Sequence, residues 1–291
     1  MNRTDGYRVK TNDAMYELVP YIMPKRFDAS NSIKYDIDLD VLHQYIKDKR
    51  SQGIQMNHMS ILISAYLRTL SQNPLLNRFC MNKKIFARNH ICVSFVTLRP
   101  GATTDTVAKI YFRPDDTIFE VNSKVIDVIS AAQEPHYHNA MDDWMARLVR
   151  LPFFARGFVG LIKVLDKYFS LPFSLIHASP FHTSLFVTNL ASIRTNAIFH
   201  HLYEFGTTGV FVSMGQPIKK TILDDDNNPI EEKVMELGIV TDERIANGHY
   251  YGRCFKELNR YLKNPEILET KPESVVNDPD IRKKNPKFIV K

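Results

Sequence analysis

The segment from residue 242 to residue 249 holds the groups best suited to chemistry, because carboxylate, amide, guanidinium and imidazole side chains fall within it. Glu243 offers a carboxylate that can act as a general base, and His249 offers an imidazole whose usual pKa lies near neutral pH. Asn247 and Gly248 form a dipeptide that is typical of a turn. Taken alone, the segment predicts a turn at which the Glu243 carboxylate is solvated or ion-paired, and Glu243 and His249 are its candidate bases.

A second candidate is the hydroxyl of Thr188, which lies inside the apolar segment TSLFVTNL. A threonine hydroxyl can donate a hydrogen bond to a ligand or a reacting group. Threonine is also a common β-former that simply packs within a sheet. The residue type alone leaves both roles open.

Other polar groups are weaker candidates. Three more histidines offer an imidazole, although a lone histidine is more often held by structural hydrogen bonds; they are His182, His200 and His201. The acidic run at 224–226 lacks the glycine and the distal glutamate of a calcium loop, so a hairpin tip is predicted. The three cysteines are odd in number and have no CxxC spacing, which predicts neither a disulfide framework nor a zinc site. We therefore expect no bound metal.

The elements around these residues mix strand and helix patterns. IKYDIDL alternates as a half-buried strand does, and MSILISAYLRTLSQ has apolar residues at helical spacing up to Pro74. KKIFARNHICVSFVTL is predicted as two paired strands, and TSLFVTNL, TGVFVSMGQPI and VMELGIVTD as core strands. NGHYYGRCFKELNRYLKNP is predicted as a helix. Glu243 is thus expected at a strand end, just before a helix, in an α/β sandwich.

This strand, turn and helix resemble the segment that defines the chloramphenicol acetyltransferase-like superfamily and its dihydrolipoyl acyltransferase catalytic domains. Those proteins carry the motif HxxxDG, which the dihydrolipoyl acyltransferases write DHRxxDG. Asp242, Arg244 and Gly248 match the motif. Glu243 replaces the histidine, and Asn247 replaces the second aspartate.

Three further segments agree with the family in their order along the chain. Thr188 precedes Asn-Leu in a strand that resembles the family's hydroxyl-bearing strand. FGTTGVFVSMGQPIKK resembles the strand that follows and ends at Gly215. Further back, the buried helix, the Pro-x-Leu-Asn turn from Pro74 to Asn77 and the next strands also match. The resemblance therefore covers nearly the whole chain.

The resemblance implies an α/β fold, a chloramphenicol acetyltransferase-like two-layer sandwich with a mixed sheet, and a homotrimer with active sites between subunits. It implies coenzyme A or an acyl-CoA as co-substrate, a small-molecule acyl donor and an acceptor. Glu243 would be the general base, Thr188 the oxyanion donor, and Asn247 would hold the turn. Residues 1–268 would form the catalytic domain, and 269–291 a charged, extended or disordered tail. We expect no lipoyl-bearing domain before the catalytic unit, and therefore do not expect a full core subunit of a dehydrogenase complex.

The replacement of the histidine leaves more than one function open. A free glutamate, with a pKa of about 4.3, accepts a thiol proton poorly, whereas burial raises the pKa of a carboxyl group and improves it as a base. The chain is therefore expected to be an acyltransferase that uses Glu243, or an inactive trimeric scaffold or acyl-binding sensor. A third hypothesis is a peripheral lipid-binding protein that uses the basic amphipathic stretch 144–175, although packing of that stretch against the domain is favoured.

Composition excludes several classes of protein. The formal net charge is +6, but the lysines and arginines are spread along the chain, so nucleic-acid binding is not expected. The N-terminus has no apolar segment of a secretory signal, and charged residues and prolines interrupt the longest apolar stretch. With the unpaired cysteines, these features predict a cytoplasmic protein.

Overall fold

The alternating apolar segments form the strands of a mixed sheet in a computed structural model, which describes residues 2–11, 13–98, 105–133, 152–223, 226–283 and 286–289. The strands are β1 Gly6–Arg8, β2 Ser30–Asp38, β3 Arg78–Met81, β4 Lys84–Arg88, β5 Ile91–Leu98, β6 Asp105–Phe112, β7 Leu185–Asn189, β8 Val210–Leu223 and β9 Pro229–Asp242. The helices are α1 Ala14–Ile22, α2 Leu39–Ser51, α3 His58–Gln72, α4 Ile118–Gln133, α5 Pro152–Tyr168, α6 Phe173–Ala178 and α7 Gly248–Lys263.

Six strands form the main sheet, in the order β2-β9-β8-β7-β5-β6. β7 runs parallel to β5 and β8, and the other neighbours are antiparallel, so the sheet is mixed as predicted. A separate small sheet has the order β1-β4-β3. Every candidate residue on a strand belongs to the main sheet.

The predicted pairing within KKIFARNHICVSFVTL is wrong. β4 pairs with β3 and β1, whereas β5 pairs with β6 and β7 in the other sheet. The two residues between them, Asn89 and His90, are buried. The backbone N–H of Asn89 donates to the carbonyl oxygen of Asp5, and its side-chain amide donates to the carbonyl oxygen of Thr4, so both bonds lead away from β5. The chain therefore crosses from one sheet to the other there.

One face of the main sheet is covered by helices. The main hydrophobic core contains buried side chains of α2, α3, α4 and α7 together with those of the strands. Helix α3 is buried from Met59 to Ser71, because apolar or small residues occupy nearly all of its positions. Sheet and helices thus form the two layers of the sandwich.

The loop that follows β7 packs on the other face of the sheet. Leu202 of this loop joins Phe186 and Phe211 in a second apolar cluster. The approach is close enough to require glycine in the strands, since a Cβ at Gly238 would lie 2.2 Å from the carbonyl oxygen of Ile198. This face carries Thr188, because strand side chains two residues apart point the same way and Phe186 lies on it.

The C-terminal segment lies extended against the domain. The N–H of Val276 donates to the carbonyl oxygen of Ser71 at 2.8 Å, and Asp278 pairs with Arg78 at 2.5 Å. Ile281 forms an isolated antiparallel bridge with Val9. These contacts hold the described part of residues 269–291 on the protein.

The basic amphipathic stretch is helical over α5 and α6, and its first residues, 144–151, lie outside the described part of the chain. Helix α5 is attached through Asp166, which is buried and pairs with Arg3 at 2.7 Å. Among the helices that the structure describes, none combines the length and apolar character needed to cross a membrane.

Candidate functional site

The turn that follows β9, called here the motif turn (residues 242–248), is held at its first residues by hydrogen bonds to the backbone. The N–H of Glu243 donates to the carbonyl oxygen of Ala29 at 2.8 Å, and that of Ile245 to the carbonyl oxygen of Asp242 at 3.1 Å. The hydroxyl of Tyr251 donates to the same carbonyl oxygen at 2.9 Å. These hydrogen bonds fix the position of the backbone at Glu243.

Asp242 is fully buried and is shared by two arginines. Arg244 donates to both of its carboxylate oxygens, at 2.8 and 2.7 Å, and Nε of Arg26 lies 3.4 Å from Oδ2. Burial alone lowers the pKa of Arg244, but the hydrogen bonds and charge of Asp242 outweigh burial and raise it, so the guanidinium stays charged. A buried carboxylate that is paired in this way keeps the turn in one geometry.

Asn247 caps helix α7. Its side-chain oxygen accepts a hydrogen bond from the N–H of Tyr250 at 2.9 Å, and its own N–H donates to the hydroxyl of Tyr16 at 2.9 Å. Asparagine is among the best N-cap residues, since its side chain satisfies a free N–H of the first helical turn. Gly248 begins the helix, and exposed His249 follows it.

The Glu243 side chain is half-buried, and no described residue hydrogen-bonds or ion-pairs with its carboxylate. Its neighbours along the chain are buried and paired, so the free carboxylate contrasts with them. The arrangement leaves Glu243 open to a ligand or to a residue of another subunit.

Thr188 is half-buried near the end of β7, and its hydroxyl has no hydrogen-bond partner among the described residues. The neighbouring Ser213, by contrast, has its hydroxyl bound to the backbone of Ile198. Thr188 thus presents a free donor on the sheet face away from the helices.

A single chain does not bring Thr188 and Glu243 together. Thr188 pairs with Ser213, which pairs with Gly238, and Gly238 lies five residues before Glu243. At about 3.4 Å per strand residue, Glu243 lies about 17 Å along the sheet from the row that holds Thr188. The two groups can meet only if a second copy of the chain supplies one of them.

His182 and His200 have structural surroundings in the described part of the chain, whereas His201 is exposed. The buried His182 ring has a hydrogen-bond partner at each nitrogen. Nδ1 lies 2.8 Å from Ser179 Oγ, and Nε2 lies 3.0 Å from Asp166 Oδ2. Burial lowers the pKa of His182 more than Asp166 raises it, so a neutral ring donates to the carboxylate and Arg3 supplies the positive charge. Burial also lowers the pKa of His200, whose ring stacks on Phe211 with centroids 4.2 Å apart.

The acidic run and the cysteines give no metal site in the described residues. Asp224 and Asp225 lie outside that part of the chain, and β8 and β9 are paired up to Leu223 and Pro229 on either side. All three cysteines are buried free thiols. No cluster of three or more His, Cys, Asp or Glu side chains suited to a metal occurs within the residues described.

A pocket of about 290 Å³ lies directly behind the motif turn. It is enclosed by α5, by the turn between β3 and β4, and by residues 204–206, and we call it the α5 pocket. Arg26 and Arg244 line it, as does Cys80, whose thiol stays protonated because burial raises its pKa to about 11. This pocket is not predictable from sequence motifs, because its residues come from distant segments of the chain.

Comparison with solved structures identifies the fold. A dihydrolipoamide acetyltransferase of Azotobacter vinelandii superposes with a TM-score of 0.58 and 11% identity, covering 87% of this chain and 88% of its own. A truncated catalytic core of the 2-oxoacid dehydrogenase complex of Thermoplasma acidophilum gives 0.54 and 12%, covering 88% and 98%. A chloramphenicol acetyltransferase gives 0.54 and 11%, covering 88% and 99%.

The chain has the chloramphenicol acetyltransferase-like fold. The predicted fold class, α/β with a mixed sheet in a two-layer sandwich, is confirmed, and so is the resemblance on which it was based. No family model and no curated protein matches the sequence. At 11–12% identity the likeness to these structures establishes the fold alone.

Proposed function

We propose that this protein transfers an acyl group from a coenzyme A-like thioester to a small-molecule acceptor, at a site between two subunits of a homotrimer. The observation that carries the proposal is that Glu243 and Thr188 occupy fixed positions in an acyltransferase fold with free polar groups. For the enzyme of Azotobacter vinelandii, a serine, a histidine and an asparagine have been studied in the catalytic mechanism. Thr188, Glu243 and Asn247 offer the matching set, with glutamate in place of histidine.

The reaction needs a base and an oxyanion donor. The Glu243 carboxylate takes the proton of the acceptor's thiol or hydroxyl as that group attacks the thioester carbonyl carbon. The Thr188 hydroxyl donates a hydrogen bond to the oxyanion of the tetrahedral intermediate. The carbon–sulfur bond then breaks, and the departing thiolate of coenzyme A takes back the proton that Glu243 holds.

The surroundings of the motif turn support a site shared between subunits. Helix α1 lies beside the turn, since Tyr16 binds Asn247, and it leaves apolar side chains exposed. These are Met15, Leu18, Tyr21 and Ile22. An exposed apolar surface of this kind is typical of a subunit interface, and it lies on the helix that contacts the motif turn. We also propose a cytoplasmic location, on the strength of the three free thiols.

The base is tested by turnover of a panel of acyl-CoA thioesters with the purified chain and its Glu243→Gln variant. Loss of a general base lowers the rate by a factor of about 100 to 10,000, so the variant is expected to lose kcat by that amount. Glu273→Gln, at an exposed carboxylate of the C-terminal segment, is the matched control and should behave as the unmodified chain. Equal rates for Glu243→Gln and the unmodified chain would exclude Glu243 as the base.

The shared site is tested by mixing two inactive variants, Glu243→Gln and Thr188→Ala, after mild dissociation and reassembly. If each site takes one group from each of two subunits, about one quarter of the sites in a random equal mixture regain both native groups. Activity near that fraction of the unmodified level is expected. No recovery of activity would contradict a site that takes Glu243 from one subunit and Thr188 from another. Thermal stabilisation by acyl-CoA without any turnover would instead favour an acyl-binding scaffold.

A further inference from the structure

The α5 pocket has an unbalanced charge. Five of its lining side chains are cationic and two are carboxylates. The cationic residues are Arg26, Lys83, Lys163, Lys167 and Arg244, and the carboxylates are Asp166 and Glu204. Arg26 and Arg244 pair with Asp242 behind the pocket, so the unpaired positive charge lies on the three lysines, and a concave site with such an excess concentrates anions from solution.

None of the three lysines of the pocket has a carboxylate within ion-pair distance in the described part of the chain, so each keeps an unpaired positive charge. Six other lysines have such a partner: Lys34, Lys49, Lys124, Lys219, Lys220 and Lys271. Lys163 and Lys167 lie one helical turn apart on α5, so both can reach the same ligand.

The carboxylates of the pocket are already engaged. Asp166 pairs with Arg3 at 2.7 Å and accepts a hydrogen bond from His182 at 3.0 Å. Glu204 is exposed, and its Oε2 accepts a hydrogen bond from the backbone N–H of Arg26 at 2.9 Å. Neither carboxylate neutralises the lysines.

Two more features suit an anion. Lys83 has φ +58°, in the left-handed region, at a turn position where glycine is usual. A lysine at this position therefore strains the backbone. Its Nζ lies 5.0 Å from the ring centre of Tyr21. This cation–π contact stabilises the ammonium group without neutralising its charge.

We propose that the α5 pocket binds a phosphate-bearing anion. A group of lysines binds a phosphate through several charge-assisted hydrogen bonds, since a phosphate offers several acceptor oxygens. The volume of about 290 Å³ is at the small end for ligand sites, which fits a phosphate ester or one phosphorylated end of a longer molecule. The ligand is a soluble phosphate compound or the headgroup of an anionic lipid.

The test is titration calorimetry of the full chain at low salt with three probes: inorganic phosphate, coenzyme A, and phosphatidylglycerol vesicles compared with phosphatidylcholine vesicles. The variant Lys163→Gln/Lys167→Gln should fold normally, since both side chains are exposed and form no ion pair with a described residue. We expect it to bind at least about tenfold more weakly, as the loss of charged hydrogen bonds predicts. Lys256→Gln/Lys263→Gln, on exposed positions of α7, removes the same charge elsewhere and should bind as the unmodified chain does.

Lysine-dependent binding of inorganic phosphate or coenzyme A would identify a soluble ligand, and the same dependence with phosphatidylglycerol vesicles alone would identify a lipid headgroup. Either result supports the proposal. Absence of binding to all probes, or equal weakening in both double variants, would overturn it. Glu243→Gln should bind as the unmodified chain does, so failure of the catalytic proposal would leave this result unchanged.

Discussion

One carboxylate organises the motif turn at the scale of single residues. Asp242 receives two hydrogen bonds from the Arg244 side chain and lies beside Arg26, and all three groups are buried. The two neighbouring carboxylates thus differ. Asp242 is paired and fixes the geometry of the turn, while no described residue pairs with the carboxylate of Glu243.

Replacing Asp242 with Asn should cost about 3–5 kcal/mol of unfolding free energy, because two buried guanidinium groups lose their only carboxylate partner in the described structure. Asp36→Asn breaks an exposed pair with Lys220 and should cost less than about 1 kcal/mol. Urea unfolding of both variants at neutral pH makes the comparison. Similar costs for the two substitutions would contradict the assigned role of Asp242.

Lys109 provides a pH-dependent prediction at the residue scale. Its Nζ donates to the carbonyl oxygens of Ile176 and Ser179, at 2.7 and 3.0 Å, and burial lowers its pKa to about 8. The unfolded chain, with an ordinary lysine pKa, therefore binds more protons than the folded chain between pH 8 and about 10.4. The unfolding free energy should rise with pH across this window by up to about 3 kcal/mol, relative to Lys109→Met. Parallel pH profiles for the two proteins would rule out the lowered pKa.

At the scale of elements, the two-residue turn between β3 and β4 contains Lys83, which strains the backbone and also lines the proposed phosphate site. Asn82 and Lys83 both have positive φ, of 49° and 58°, which matches the turn type that usually takes Asn-Gly. Lys83→Gly should raise the unfolding free energy by about 1 kcal/mol, since glycine has no penalty in the left-handed region. The same change should weaken phosphate binding. Lys84→Gly, one residue later in an extended strand, should lower stability instead, and calorimetric melting distinguishes the two.

The elements that sequence patterns predicted are those with a long, regular period. β7, β8, β9 and α7 were predictable because their apolar residues recur at strand or helix spacing, and this placed Glu243 at a strand end. Helix α1 was missed because it contains Pro20, and β1 because three residues show no period. The contacts of Arg26 with Asp242 could not be predicted, since they join distant segments through tertiary packing alone.

At the scale of the whole molecule, the proposed trimer must cover the exposed apolar side of α1. Leu18 and Ile22 are 54% and 67% exposed, although they lie beside the motif turn. A carboxylate at each position would have to be buried in the interface without a partner, at a cost that association cannot offset. We therefore expect Leu18→Glu/Ile22→Glu to sediment as a monomer under conditions in which the unmodified chain sediments as a trimer. Leu161→Glu/Val164→Glu, on the equally exposed helix α5, should remain trimeric. A trimer that survives the α1 substitutions and is lost with the α5 substitutions would place the interface away from Glu243 and remove the basis for a shared site.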